Sequence, residues 1–134
     1  MDFRRARVSL RDMTARTPEE THAVLEAAFN AGDADAAAAA FDEHAAMFDP
    51  RQRRVVHGRD AIRAAIAPLL ADAPTAEIEV LGKVQADGLA VTHARWRVGE
   101  LSGHGTIVSR RRPDGRWLIV LDNPLSGLDP GART

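Results

Sequence analysis

The sequence has no cysteine and no tyrosine, and aromatic residues make up only 4% of it. The missing cysteine excludes disulfides and thiolate zinc sites, and leaves the redox compartment open. With so few rings, the core must be filled by alanine and aliphatic side chains; hydrophobic residues reach 45%, enough for a core. Lys83 is the only lysine, so nearly all the positive charge is arginine. The formal net charge of −1 gives no bulk electrostatic case for a nucleic acid or an anionic membrane as partner. No run of about 18 apolar residues exists, so nothing is expected to span a membrane. The opening MDFRRARVSL lacks the apolar stretch of a signal peptide, which makes a cytoplasmic location the expectation. There is no Gly-x-Ser-x-Gly, P-loop or dinucleotide fingerprint, and no cofactor is expected. The histidines never fall in H-x-H or H-x-x-x-H spacing, so no metal site is expected either.

A chain of 134 residues fits one domain. Residues 1–16 show no period and are expected to form a flexible N-terminal segment. Thr17-Pro18-Glu19-Glu20 starts a helix: Thr17 caps, Pro18 suits the first helical position, and Glu20 completes a capping box. Leu25, Ala28 and Phe29 share one face, and Gly32 ends the helix. Asp33 caps a second helix, expected over 34–43. Short strands are expected over 45–49 and 53–57, around the turn Pro50-Arg51-Gln52. A third helix from Arg59 carries Ile62, Ala65, Ile66, Leu69 and Leu70 on one stripe, with Pro68 forcing a kink or stop. Ile66 and Leu69 are expected in the core.

From Thr75 the period becomes two. Ile78, Val80 and Val84 are expected on one strand face, and Asp87-Gly88 marks a hairpin turn. In 89–98, Ala90, Thr92, Ala94, Trp96 and Val98 face one way, and Val91, His93, Arg95 and Arg97 the other. The arginines assign their side to solvent or a polar interface, so Trp96 points inward. A strand over 101–112 contains Gly103 and Gly105, read as a bulge or sharp curvature. The last strand, 116–123, follows the turn Pro113-Asp114-Gly115. Residues 126–134 are expected to form a loose tail. Helices followed by a strand meander mean an α+β fold: a cone-shaped curved antiparallel sheet wrapped around three N-terminal helices.

Asp49 ends an apolar strand. It either lines a pocket, where desolvation would suit it to acid–base work, or caps its turn or pairs with Arg51, Arg53 or Arg54. Asp122 is a second candidate carboxylate. Alternation places it with Leu118 and Val120, opposite Trp117, Ile119, Leu121 and Asn123. Trp96 could stack on a flat ligand or simply fill the core. His57, His93 and His104 are candidate acids or ligands; His93 and His104 lie on adjacent strands, with His93 facing outward. The run Arg110-Arg111-Arg112 reads as a solvated edge.

Several stretches together resemble the nuclear-transport-factor-2-like superfamily, which includes ketosteroid isomerase and SnoaL-type polyketide cyclases. They are Asn30-Ala31-Gly32-Asp33, Ala46-Met47-Phe48-Asp49-Pro50, Gly58-Arg59-Asp60-Ala61-Ile62 and the ending Asp114-Gly115-Arg116-Trp117-Leu118-Ile119-Val120-Leu121-Asp122-Asn123-Pro124. The ending is most similar to the uncharacterised ketosteroid-isomerase-homologue group. The resemblance spans about 17–125 and implies a pocket domain there. It implies a cystatin-like roll, a pocket for a small apolar molecule at the wide end of the cone, and a homodimer through the sheet. It also implies that Asp49 is the catalytic base. The implied pocket residues are Leu25, Phe29, Phe48, Ile66, Trp96, Ser109 and Asp122. Aligned on these motifs, Leu25 takes the place of the family's oxyanion-hole tyrosine and Ser109 that of its second acid. Loss of one such donor typically slows catalysis about a hundredfold or more, so classical steroid isomerisation is not expected. Three functions stay open: isomerase-like or cyclase-like proton transfer, non-catalytic binding of a small molecule, and a structural dimer.

Overall fold

The computed structural model describes residues 13–125. Helix α1 spans Pro18–Asn30 and α2 spans Ala34–Ala39. Strands β1 (Phe41–Asp49) and β2 (Arg54–His57) form a hairpin, and α3 covers Arg59–Ile66. Strands β3 (Ala76–Ala86), β4 (Leu89–Val98), β5 (Leu101–Arg111) and β6 (Trp117–Asn123) follow. All six strands join one curved, unclosed sheet in the order β2-β1-β6-β5-β4-β3. Every neighbouring pair is antiparallel except β1 and β6, which run parallel.

The helix signals act as their chemistry dictates. Thr17 Oγ1 accepts from Glu20 N–H at 3.2 Å, and Asp33 Oδ1 accepts from Ala36 N–H at 2.9 Å. The Glu20 carboxylate reaches back to Arg16 N–H rather than to the cap residue itself. Gly32 takes φ +67° just beyond α1, where a side chain would be strained. Pro68 stops α3 at Ile66, and a 3-10 turn over Ala67–Leu70 continues the chain.

The second helix is shorter than its alanine run suggests. It ends at Ala39, and Phe41 opens β1, fully buried and paired with Ile119. At the other end of the sheet, α1 is stitched to the edge strand β3. Asn30 exchanges two hydrogen bonds with the Ala76 backbone, at 2.7 and 3.0 Å, and Glu26 accepts from Ile78 N–H at 2.7 Å. These side chains occupy edge groups that would otherwise be open to another chain. Lys83 and Glu19 add an ion pair at 2.9 Å.

The register shifts at three places, and beside the one between Phe41 and Ala46 on β1, two re-aim the strands that carry the site. Between Val80 and Gly82, β3 gains a residue against β4. Ile78 and Val80 pair with the inward Trp96 and Ala94, but Val84 pairs with the outward Val91. Val84 therefore lies on the outer face, 75% exposed, and not with Ile78 and Val80 as alternation predicts. Between Val108 and Ser109, β6 gains Val120. Trp117 and Ile119 consequently sit in the core, on the same side as Asp122, where simple alternation had placed them on the opposite face. Gly103 and Gly105 pair with β4 in unbroken register, so they mark no bulge there.

Of the expected N-terminal segment, Ala15 pairs with Trp117, and Arg16 donates to Asp114 O at 3.0 Å. Residues 1–12 and the expected tail over 126–134 lie outside the described residues.

Candidate functional site

The concave face of the sheet, α1 and α3 enclose a cavity of about 80 Å³. Leu25 and Phe29 reach it from α1, Ile66 from α3, and Trp96 from β4. Four of the seven predicted pocket residues thus meet there, and Asp122 on β6 makes a fifth. Phe41 also contributes, so three of the five aromatic side chains among the described residues surround this space.

Asp122 is the unusual member. Its carboxylate has no hydrogen-bond partner among the described residues, and burial pushes its pKa up to about 7. The residue keeps some accessible surface, as its place in the cavity wall requires. Among the described residues no arginine or lysine lines the cavity to balance it.

Trp96 lies inward as its strand pattern predicts, but its indole N–H is already used. It donates to Pro124 O at 2.6 Å. That bond holds the chain beyond β6 across the concave side of β5. Gly105 permits the crossing: a Cβ there would lie 2.7 Å from Pro124 Cα.

His22 was not anticipated. It stands on α1 and lines the cavity. Its Nε2 lies 2.7 Å from Thr92 Oγ1, and burial lowers its pKa to about 4, against a smaller opposing pull from Glu19. The imidazole is therefore neutral near pH 7. The signal was present in the sequence: His22, Leu25 and Phe29 fall at i, i+3 and i+7, one helical face.

The remaining candidates lie elsewhere. Asp49 is buried at the end of β1, but its Oδ1 accepts from Arg51 N–H at 2.9 Å and Gln52 N–H at 3.4 Å. It closes the β1–β2 turn, a common role for aspartate, and the cavity wall there is made by Met47 and Pro50. Phe48, one residue earlier, points to the opposite face, with the Arg53 guanidinium 5.9 Å from its ring centre. Ser109 is fully buried between Ala90 and Ile119, outside the cavity lining, and its hydroxyl has no partner among the described residues. His57 is exposed on β2. His93 and His104 stack on the outer face with ring centres 6.3 Å apart. Among the described residues no group of three or more histidine and carboxylate side chains is placed to hold a metal ion. Two members of the arginine run are paired, Arg111 with Asp87 and Arg112 with Asp42. No described helix is long and apolar enough to cross a membrane.

The sequence profile of the SnoaL-like domain matches residues 21–120, most of α1, all of α2 and α3, and most of the sheet. The chain belongs to the SnoaL-like domain family. Solved structures place this SnoaL-like domain among NTF2-like, cystatin-like folds. One is a domain from Thiobacillus denitrificans ATCC 25259 described as a calcium/calmodulin-dependent protein kinase type II association domain. It is 22% identical, with a TM-score of 0.72 over 86% of this chain and 100% of that one. An NTF2-like protein of unknown function from Shewanella oneidensis MR-1 is 21% identical, with a TM-score of 0.62 over 80% and 98% of the two chains. A domain of unknown function with a cystatin-like fold from Nostoc punctiforme PCC 73102 is 20% identical, with a TM-score of 0.66 over 83% and 75%. At these identities the likeness concerns the fold. No curated protein matches the chain in sequence.

Proposed function

We propose that this SnoaL-like domain binds a small, mainly apolar molecule in its cavity, with Asp122 as the polar anchor. The observation that carries the reading is one lone carboxylate in an otherwise apolar, aromatic-rich enclosure. Concave, mostly apolar sites with a few placed polar groups are the usual form of small-molecule sites. Binding fits the geometry better than proton transfer by Asp49, whose carboxylate is engaged by its own turn. The test is an NMR titration of isotope-labelled protein with cyclopentanol, a small apolar alcohol. Saturable shifts should appear at Leu25, Phe29, Ile66 and Trp96. Shifts confined to Phe48 and Val55 on the outer face, or none at all, would contradict the reading.

A second reading concerns assembly, and it stands beside the first. The outer sheet face carries an apolar row, Val84, Val91, Val108 and Leu121, each paired with the next across β3 to β6. Phe48 and Val55 extend it onto β1 and β2. Apolar rows of this length are uncommon on surfaces that stay bare. The row supports a homodimer through the sheet.

A further inference from the structure

The charge balance of the cavity points to a narrower class of ligand. This inference rests on the binding role just proposed and adds to it the chemistry of the anchor's partner.

Three polar side chains reach the space. The Trp96 N–H is held by Pro124 O, and the His22 ring is joined to Thr92. Of these, Asp122 alone has no hydrogen-bond partner at all among the described residues; the second ring nitrogen of His22, Nδ1, can accept a hydrogen bond but brings neither donor nor charge. A desolvated carboxylate that stays ionised needs either hydrogen-bond donors or a positive charge close by. Among the described residues the cavity wall supplies neither: none of them that lines it is an arginine or lysine, and burial keeps His22 uncharged. A neutral alcohol would supply a donor and no charge. An anionic ligand would add a second negative charge beside the first. An ammonium group would supply both the donor and the opposite charge, so the buried carboxylate is balanced as well as hydrogen-bonded. The apolar body of such a ligand would lie against Leu25, Phe29 and Ile66, and Trp96 offers ring surface that favours a cation.

We infer that the cavity selects a small apolar amine, its ammonium group seated on the Asp122 carboxylate. The free space of about 80 Å³ suits a compact apolar part, such as a short branched chain or a small ring.

The test compares cyclopentylamine, cyclopentanol and cyclopentanecarboxylate, three molecules of one shape, against the full chain at pH 8. Affinities are read from NMR shifts at Leu25, Phe29 and Trp96. The amine should bind about tenfold or more tighter than the alcohol, and the carboxylate more weakly than both. Asp122→Asn keeps the shape and removes the charge. It should abolish the preference for the amine while the alcohol still binds. If the alcohol binds as well as the amine, or if the preference survives in Asp122→Asn, the amine assignment is overturned and the apolar binding site stands. If none of the three shifts the cavity residues, both are overturned.

Discussion

His22 Nε2 and Thr92 Oγ1 lie 2.7 Å apart, a buried bridge between α1 and β4 at the cavity wall. Thr92 Oγ1 also lies 3.4 Å from Ile107 O, to which it donates. The hydroxyl then accepts from His22, which places the imidazole proton on Nε2. Thr92→Val keeps the volume and removes the acceptor. It should destabilise the fold by about 1–3 kcal/mol, because a buried ring N–H loses its partner. Chemical denaturation measures this, and an unchanged midpoint would mean that the bridge contributes nothing.

The two titratable groups of the cavity should give opposite pH signatures. Burial raises Asp122 from 3.8 to about 7. Between those values the folded chain keeps a proton that the unfolded chain has released, so stability falls as pH rises. Burial lowers His22 from 6.5 to about 4. In that window the unfolded chain holds the extra proton, so stability rises with pH and is fully present above 6.5. The two slopes oppose each other over their shared range. Asp122→Asn should leave only the His22 slope: stability climbing from pH 4 to 6.5, and exceeding wild type at pH 8 by at most roughly 4 kcal/mol. Thermal melts across pH 4–8 check this, and superimposable curves for the two proteins would contradict it.

The first half of the chain was largely legible in the sequence because its signals are local. Thr17, Asp33, Gly32 and Pro68 each act through their own backbone neighbours. Phe41 was misplaced on a helix because its fate is set by a distant partner, Ile119 on β6. The faces of Val84, Trp117 and Ile119 were misread for a related reason. A residue inserted at Leu81 or Val120 is defined only against the neighbouring strand, and one such residue reverses everything beyond it. Asp122 was reached through the resemblance, because alternation alone set it opposite Trp117 and Ile119, which the residue gained at Val120 brings to its side. Asp49 was the more conspicuous acid, but an aspartate before Pro-Arg-Gln also suits a turn, and the turn amides take its carboxylate.

Gly105 should tolerate no side chain. A Cβ there meets backbone atoms of Pro124 at 2.7 Å, and backbone cannot swing aside as a side-chain tip can. Gly105→Ala should displace Pro124, release the Trp96 indole and destabilise the fold by about 1–3 kcal/mol. The indole N–H resonance reports the release directly. An unmoved resonance would mean that the glycine is dispensable.

Ile66 is 1% exposed at the end of α3, whereas Leu69, expected beside it in the core, is only half-buried in the 3-10 turn. Ile66→Ala should therefore cost about 2–5 kcal/mol and Leu69→Ala less. Urea denaturation of both variants ranks them, and the reverse order would contradict the packing described.

Leu121 is 52% exposed at the centre of the outer row. Leu121→Glu should dissociate the proposed dimer without unfolding the chain. Light scattering at tens of micromolar should then report a dimer for wild type and a monomer for the variant. A monomeric wild type would remove the assembly reading and leave the cavity untouched.

The binding role depends most on Asp122 being a carboxylate with no partner among the described residues, set among apolar side chains. Its side-chain carboxyl carbon can be followed by 13C NMR as pH is raised on the ligand-free protein. The predicted midpoint is about 7, with Asp122→Asn removing the titrating signal. A midpoint near the ordinary value of 3.8 would mean that the carboxyl is solvated or paired, and would contradict the cavity as described.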